Sequence, residues 1–397
     1  MTTAYLRVVS LDRPYSGPKS LNIIVSVLPE THETAFYTPL TSNNMMSSEG
    51  KQSSDRSTGI SVGFRSRWLN DDRLKFMSQI GVEDVFVDTI SPGYEADAFP
   101  DALENDDQPH IELSPDHVPS ITKLTQIRTR LKQFDLSFAG IHSLHYGMYS
   151  DIMFDRSGRD TQLDAIATLI RRLSEVGIDT LGYQWNPRGI IPMRTETGVR
   201  VRGGATATRW NENDLNRLET PPGELEQTYT EAECWENYEK FLEEIIPIAE
   251  EEGVRLALHP ADPPVYEKIG GIPRLFRNVK NFQRALTTVS SEAHGLKLCL
   301  GCFSEMDENI PEIIHTFSDD IFFVHFRNVT GTVPDFTETF LDDGDFDPHK
   351  AMNALFDVGF NGPVLLDHVP HIQGDTQWRH RSRAYGAGYL QCLMRVS

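Results

Sequence analysis

The chain has 397 residues, 39% of them hydrophobic and 24% charged, and a net charge of −21 from 37 basic and 58 acidic side chains. Such acidity repels phosphate and argues against nucleic acid or an anionic membrane as partners, and no apolar run approaches the roughly 20 residues that cross a bilayer. The opening MTTAYLRVVSLDRP lacks the apolar core and small-residue cleavage site of a signal peptide, so a cytoplasmic protein is expected.

Residues 1–58 differ in character from the rest. The stretch TSNNMMSSEGKQSSDRSTG is Ser-rich, polar and aperiodic, the composition of a flexible segment. The run SLNIIVSVLP has strand character, but no neighbouring run supports it. A flexible N-terminal extension over 1–58 and a folded domain over 59–397 are expected. From Ile60 onward, short apolar runs recur at 60–64, 84–88, 136–141, 180–184, 255–259, 296–300, 321–326 and 363–368. Between them lie helix-spaced segments such as PSITKLTQIRTRLKQF, TQLDAIATLIRRLSEVG and CWENYEKFLEEIIPIAEEEG, the last with an acidic outer face and a closing Gly253. Near-continuous apolar strands alternating with amphipathic helices predict a parallel sheet covered by helices. Eight such units predict a single (β/α)8 TIM barrel. An open doubly wound sheet is the competing architecture, but no GxGxxG follows the first strand. The insert at 185–231, after the fourth strand, is too long for an ordinary βα loop and is expected over the C-terminal face of the barrel.

Lys supplies only 10 of the 37 basic residues. Abundant carboxylates with scarce Lys fit a high-salt cytoplasm, where charge acts over roughly 3 Å at 1 M salt against roughly 30 Å at 0.01 M. The expected result is a melting temperature that climbs steeply toward molar KCl. A flat melt series would remove the halophilic reading. The cysteines, Cys234, Cys299, Cys302 and Cys392, are expected to be reduced thiols. Cys299 and Cys302 form a CxxC, but no second pair exists for a structural zinc site, and the apolar run LKLCL is poor context for a redox motif.

The chemistry gathers at the last four strands, which end in or near His259, Cys299, His325 and Asp367. Barrel strands converge at their C-terminal ends, so these residues are expected to meet. Two imidazoles, a thiolate and a carboxylate suit a divalent transition metal. Each alone has a duller explanation as core packing; four in succession point to a metal centre. Asp262, in HPADPP, is placed to orient the His259 imidazole. Arg327 and Asn328, in HFRN, offer a planar fork and an amide for a substrate carboxylate. His368, next to Asp367, is a candidate proton carrier. His142 and His145, in GIHSLHYGMY, are further candidates for binding or proton transfer.

Taken together, HPADPP, LKLCLG, FVHFRN, LLDH, GIDTLGYQWNP and YTEAECWENYEKFL resemble the motif series of mannonate dehydratases, in order from Ser61 to Met394. The resemblance implies a xylose-isomerase-like barrel that removes water from D-mannonate to give 2-keto-3-deoxy-D-gluconate, using Mn²⁺ or else Fe²⁺ or Co²⁺. It implies His259, Cys299, His325 and Asp367 as ligands, His368 in proton transfer, and Tyr183 and Asn186 as substrate contacts. Three positions depart from the family pattern. Ala261 stands where the family carries Asp, Thr337 where it carries His in an FHE-like segment, and Arg381 at or near its catalytic Tyr. These departures leave a sugar isomerase or epimerase, or a metal-binding paralogue with another aldonic acid, as competing readings. Cys299 discriminates, because isomerase and epimerase barrels of this kind favour oxygen and imidazole ligands. The expected partner is a small sugar acid, with homo-oligomerisation left open.

Overall fold

Eight parallel strands close a barrel in sequence order: β1 (Ser61–Ser66), β2 (Asp84–Val87), β3 (Ser137–Ile141), β4 (Thr180–Gln184), β5 (Arg255–His259), β6 (His294–Cys299), β7 (Ile321–Phe326) and β8 (Pro363–Leu366), with β8 pairing back onto β1. This is a computed structural model, and it describes residues 59–91, 109–187, 193–215, 228–265 and 268–397. The predicted extension at 1–58, with its SLNIIVSVLP run, lies outside the described residues. Every predicted strand is present, with small shifts at the ends. Leu300 opens a helix rather than closing β6, and Asp367 and His368 lie just past β8. Among the described residues no helix is long and apolar enough to cross a membrane.

The strands β4, β6 and β7 are buried along their whole length, as parallel strands are when helices cover one face and side chains fill the other. The helix Glu231–Glu252 shows how that cover is built. Thr230 accepts from the Glu233 amide while the Glu233 carboxylate accepts from the Thr230 amide at 2.8 Å, a reciprocal cap worth about 1 kcal/mol. Gly253 ends the helix at φ 65°, a left-handed turn that a side chain resists. Its apolar face carries Tyr238 and Phe241 onto Tyr183 of β4, whose hydroxyl lies 2.8 Å from that of Tyr238.

Inside the barrel, side chains two apart stack in layers. Ala257, Phe323 and Leu365 sit two residues before His259, His325 and Asp367, and with Phe86 they form a dry floor in which Phe86 and Phe323 stack at 4.2 Å. Lys297 occupies the equivalent place before Cys299. Its Nζ donates to the His142 carbonyl at 2.8 Å and lies 5.7 Å from the centre of the Phe323 ring.

The long insert forms a hairpin of Glu196–Arg200 and Thr206–Asn211. The second strand pairs with Asp335–Glu338, which pairs with Val329–Thr332, giving a four-stranded antiparallel sheet. Because Val329 follows β7 almost directly, this sheet is built at the C-terminal end of the barrel, where the insert was expected.

Candidate metal centre and active site

The strand ends deliver the expected quartet. β5 ends on His259 and β6 on Cys299, His325 is the penultimate residue of β7, and Asp367 follows β8. Parallel register sets Cys299 beside His325. Cys299, His325 and Asp367 offer donor atoms within 4.8 Å of one another, and Cys299 forms a second such group with His259 and Cys302. All of these residues are buried.

Hydrogen bonds assign the donor atoms. His259 Nδ1 lies 2.8 Å from the Pro260 carbonyl oxygen. A carbonyl only accepts, so Nδ1 carries the proton and Nε2 keeps a lone pair. Burial lowers His259 to about 4, against the raising influence of Cys299, so the imidazole is neutral at pH 7, as a ligand must be. Burial alone would raise the Cys299 thiol. A hydrogen bond from Cys302, the Arg327 charge and contacts with His259 and His325 outweigh it and hold the thiol well below its usual range. Burial and the bond to Cys299 push Cys302 upward. Of the two CxxC sulfurs, Cys299 is thus the one favoured as thiolate and Cys302 the one that donates to it, and all four cysteines of the chain are free.

His325 Nδ1 is buried without a hydrogen-bond partner and lies 3.6 Å from Asp367 Oδ2. A buried nitrogen left open beside a thiolate and a carboxylate is an arrangement that a borderline-soft divalent cation satisfies. The donor set thus fits the metal that the motifs imply.

Asp262, Cys302 and Glu305 are grouped as closely, but a side chain fills that group. Arg327 Nη1 lies 2.6 Å from Glu305 Oε1, and Nη2 lies 3.2 Å from both Asp262 Oδ2 and Cys302 Sγ. Arg327 Nε stands 3.3 Å from Asp367 Oδ2. A Cβ on Gly301 would come within 2.6 Å of the Arg327 side chain, so glycine is what leaves room for it. Arg327 does not clamp substrate, as the sequence suggested. It is fully buried behind the proposed ligands because its carboxylate partners surround it. Asp262 likewise does not orient His259, a task that falls to Pro260. It takes Arg194 at 2.5 Å and Arg327.

His368 stands on the open side. Its Nδ1 is bonded to Glu338 Oε1. Arg194 holds the same carboxylate at 2.5 Å and Thr208 Oγ1 donates to it at 2.6 Å. Burial would raise Glu338, but Arg194 and His368 hold it well below the usual carboxylate range. An ionised Glu338 only accepts, so His368 carries its proton on Nδ1 and keeps Nε2 for other work. A recess of about 10 Å³, bounded by His259, His325 and Asp367, has room for roughly one water-sized occupant. It adjoins a cavity of about 530 Å³, and Arg65, Ser143, Gln184, Met193, Asp367 and His368 line both.

The other expected site residues divide. His142 lines the recess, and His145 lines the larger cavity while bonded to the Leu113 carbonyl at 2.6 Å. Tyr183 points away from both, since Gln184 faces inward and neighbours on a strand alternate; its hydroxyl meets Tyr238 and His294. Asn186 is buried and gives its carbonyl to Tyr149. Asn328 donates to the Leu341 and Phe346 carbonyls at 3.0 Å, which makes it a brace for the loop rather than a substrate contact. Arg381 is exposed and bonded to the Gln373 carbonyl. The mouth there is lined by Trp378, Arg379 and Arg383 instead. Sequence reasoning missed Arg65, Asp88, Gln184, Lys297 and Glu338. The first three occupy, in the first half of the barrel, the strand ends read only in the second half. Lys297 was visible as a charge two residues before Cys299 in an otherwise apolar run.

The family model described as D-mannonate dehydratase (UxuA) matches residues 110–396. Mannonate dehydratase 2 of Halalkalibacterium halodurans is 29% identical over 297 residues, covering 68% of this chain and 85% of that protein. The crystal structure of mannonate dehydratase from Streptococcus suis superposes with a TM-score of 0.72 at 24% identity, over 85% of this chain and 93% of that one. A xylose isomerase domain protein from Planctomyces limnophilus shares the fold, with a TM-score of 0.52 at 11% identity over 85% and 98% of the two chains.

Proposed function

The chain belongs to the D-mannonate dehydratase (UxuA) family of hydro-lyases, and from that premise we propose that it dehydrates D-mannonate to 2-keto-3-deoxy-D-gluconate with Mn²⁺, Fe²⁺ or Co²⁺ as cofactor. The observation that carries this is the convergence of His259, Cys299, His325 and Asp367 beside an open cavity. A divalent ion held by these four residues would supply Lewis-acid stabilisation of the negative charge that develops beside the substrate carboxylate. Arg65, which lines both the recess and the larger cavity, is placed to receive that carboxylate. His368, with Nδ1–H fixed on Glu338, takes the C2 proton at its free Nε2 and delivers it to the departing 3-hydroxyl, which leaves as water. The enol that remains tautomerises to the 2-keto product, losing its hydroxyl proton to solvent as C3 takes one from solvent. Cys299 favours this reading over isomerase or epimerase chemistry.

Turnover of a panel of aldonic acids with each metal tests the proposal. D-Mannonate should be consumed with release of the 2-keto-3-deoxy acid; no turnover with any of the three ions would end the reading. The metal assignment is tested separately by elemental analysis. The protein should retain about one divalent ion per chain, and Cys299→Ser and His325→Ala should each release it. Unchanged metal content in both variants would show the ligand set to be wrong.

A further inference from the structure

Behind one proposed ligand stands a chain of buried polar groups from the first half of the barrel. Asp88 follows β2 and His142 follows β3. Asp88 Oδ1 lies 2.8 Å from His142 Nδ1. His142 Nε2 lies 3.0 Å from His325 Nε2, and the two rings are inclined by only 9°. His142 is 4% exposed and His325 2%.

The proton order follows from what each atom can do. The Asp88 carboxylate only accepts, so His142 donates through Nδ1–H and presents a lone pair at Nε2. The 3.0 Å contact is then completed by the Nε2–H of His325. That leaves the lone pair of His325 on Nδ1, the buried nitrogen that has no hydrogen-bond partner and lies 3.6 Å from Asp367 Oδ2. We propose that Asp88 and His142 are positioning residues that fix His325 in the Nε2–H tautomer and so set the affinity and geometry of the metal held at Nδ1. His142 is thereby reassigned from substrate binding or proton transfer to support of a ligand. The backbone is built for this. Lys297 Nζ donates to the His142 carbonyl at 2.8 Å, and a Cβ on Gly182 would sit 2.0 Å from that same oxygen, so β4 must carry glycine there.

The proposal rests on the ligand set above, and the test separates the two. Metal-free full-length protein is titrated with Co²⁺ alone, reading affinity by competition with a chromophoric chelator and geometry from the visible bands. Asp88→Asn and His142→Gln should each weaken Co²⁺ binding by about 10–100-fold, the usual effect of losing a group that orients a metal-bound His, and should shift the bands. The double variant should bind no more weakly than His142→Gln, because the two residues act through one chain. Affinities within about twofold of wild type, with unmoved bands, would overturn the relay. So would additive losses, which would mean that Asp88 acts by another route, such as Arg65 at 3.5 Å. If His142→Gln does not fold, the isosteric Asp88→Asn decides alone by the same two readouts. Absence of Co²⁺ binding by the wild type, or wild-type binding by Cys299→Ser, would overturn the ligand set and the relay with it.

Discussion

His368→Gln lowers kcat by about 10²–10⁴-fold, the range for removing a positioned general acid or base, and leaves KM and metal content close to wild type. The reason is geometric. His368 lies on the cavity side of Asp367, and its Nδ1 is committed to Glu338, so its loss removes a proton carrier without removing a ligand. Glu338→Gln should fall in the same direction by a smaller factor, because an amide at this position can donate to Nδ1 and turn the imidazole to the wrong tautomer. Steady-state kinetics on D-mannonate, with metal content measured on the same samples, checks both. A His368→Gln enzyme with wild-type kcat would remove His368 from the reaction, and a loss confined to KM would make it a binding group.

Arg327→Met destabilises the folded chain by about 3–5 kcal/mol, the cost of removing one partner from a buried ionic network. The guanidinium lies between Glu305, Asp262 and Asp367, and its removal takes the positive charge from beside the buried Glu305 and Asp262. Burial already holds Glu305 well above its usual range despite Arg327. Methionine keeps most of the side-chain volume, which separates loss of charge from creation of a cavity. Equilibrium denaturation of the metal-free protein measures the effect. A change below about 1 kcal/mol would mean that the carboxylates are relieved by protonation or water, not by Arg327. The same substitution should also weaken metal binding, because Arg327 Nε lies 3.3 Å from the proposed ligand Asp367.

The departures from the family pattern take on meaning in this setting. Thr337 stands where the resemblance implies a histidine, and the neighbouring Glu338 holds His368. Ala261 is buried beside Asp262, which still joins the Arg194 and Arg327 network. Arg381 is exposed and away from the cavity, so the part expected of a tyrosine there does not pass to it.

The sequence by itself determined the barrel and grouped the proposed ligands. Eight apolar runs bounded the strands to within a few residues, because a parallel strand buried on both faces has no polar alternation to blur it. Strand ends in a closed barrel share one mouth, so His259, Cys299, His325 and Asp367 could be grouped across more than one hundred residues without knowing any distance. Only the tertiary structure decided what the residues around them do. Arg327 reads as a substrate fork in HFRN, and only the arrival of Glu305 and Asp262 from other segments shows that its donors are committed. His142 reads as a loop histidine until Asp88 and His325 appear on either side of it. Glu338 gives no local signal, since it reaches His368 by way of a hairpin whose pairing with the long insert is set by non-local hydrogen bonds. Periodicity reports which face of an element is buried. The identity of a buried polar group's partner depends on segments far away in the chain, and one sequence does not encode that locally.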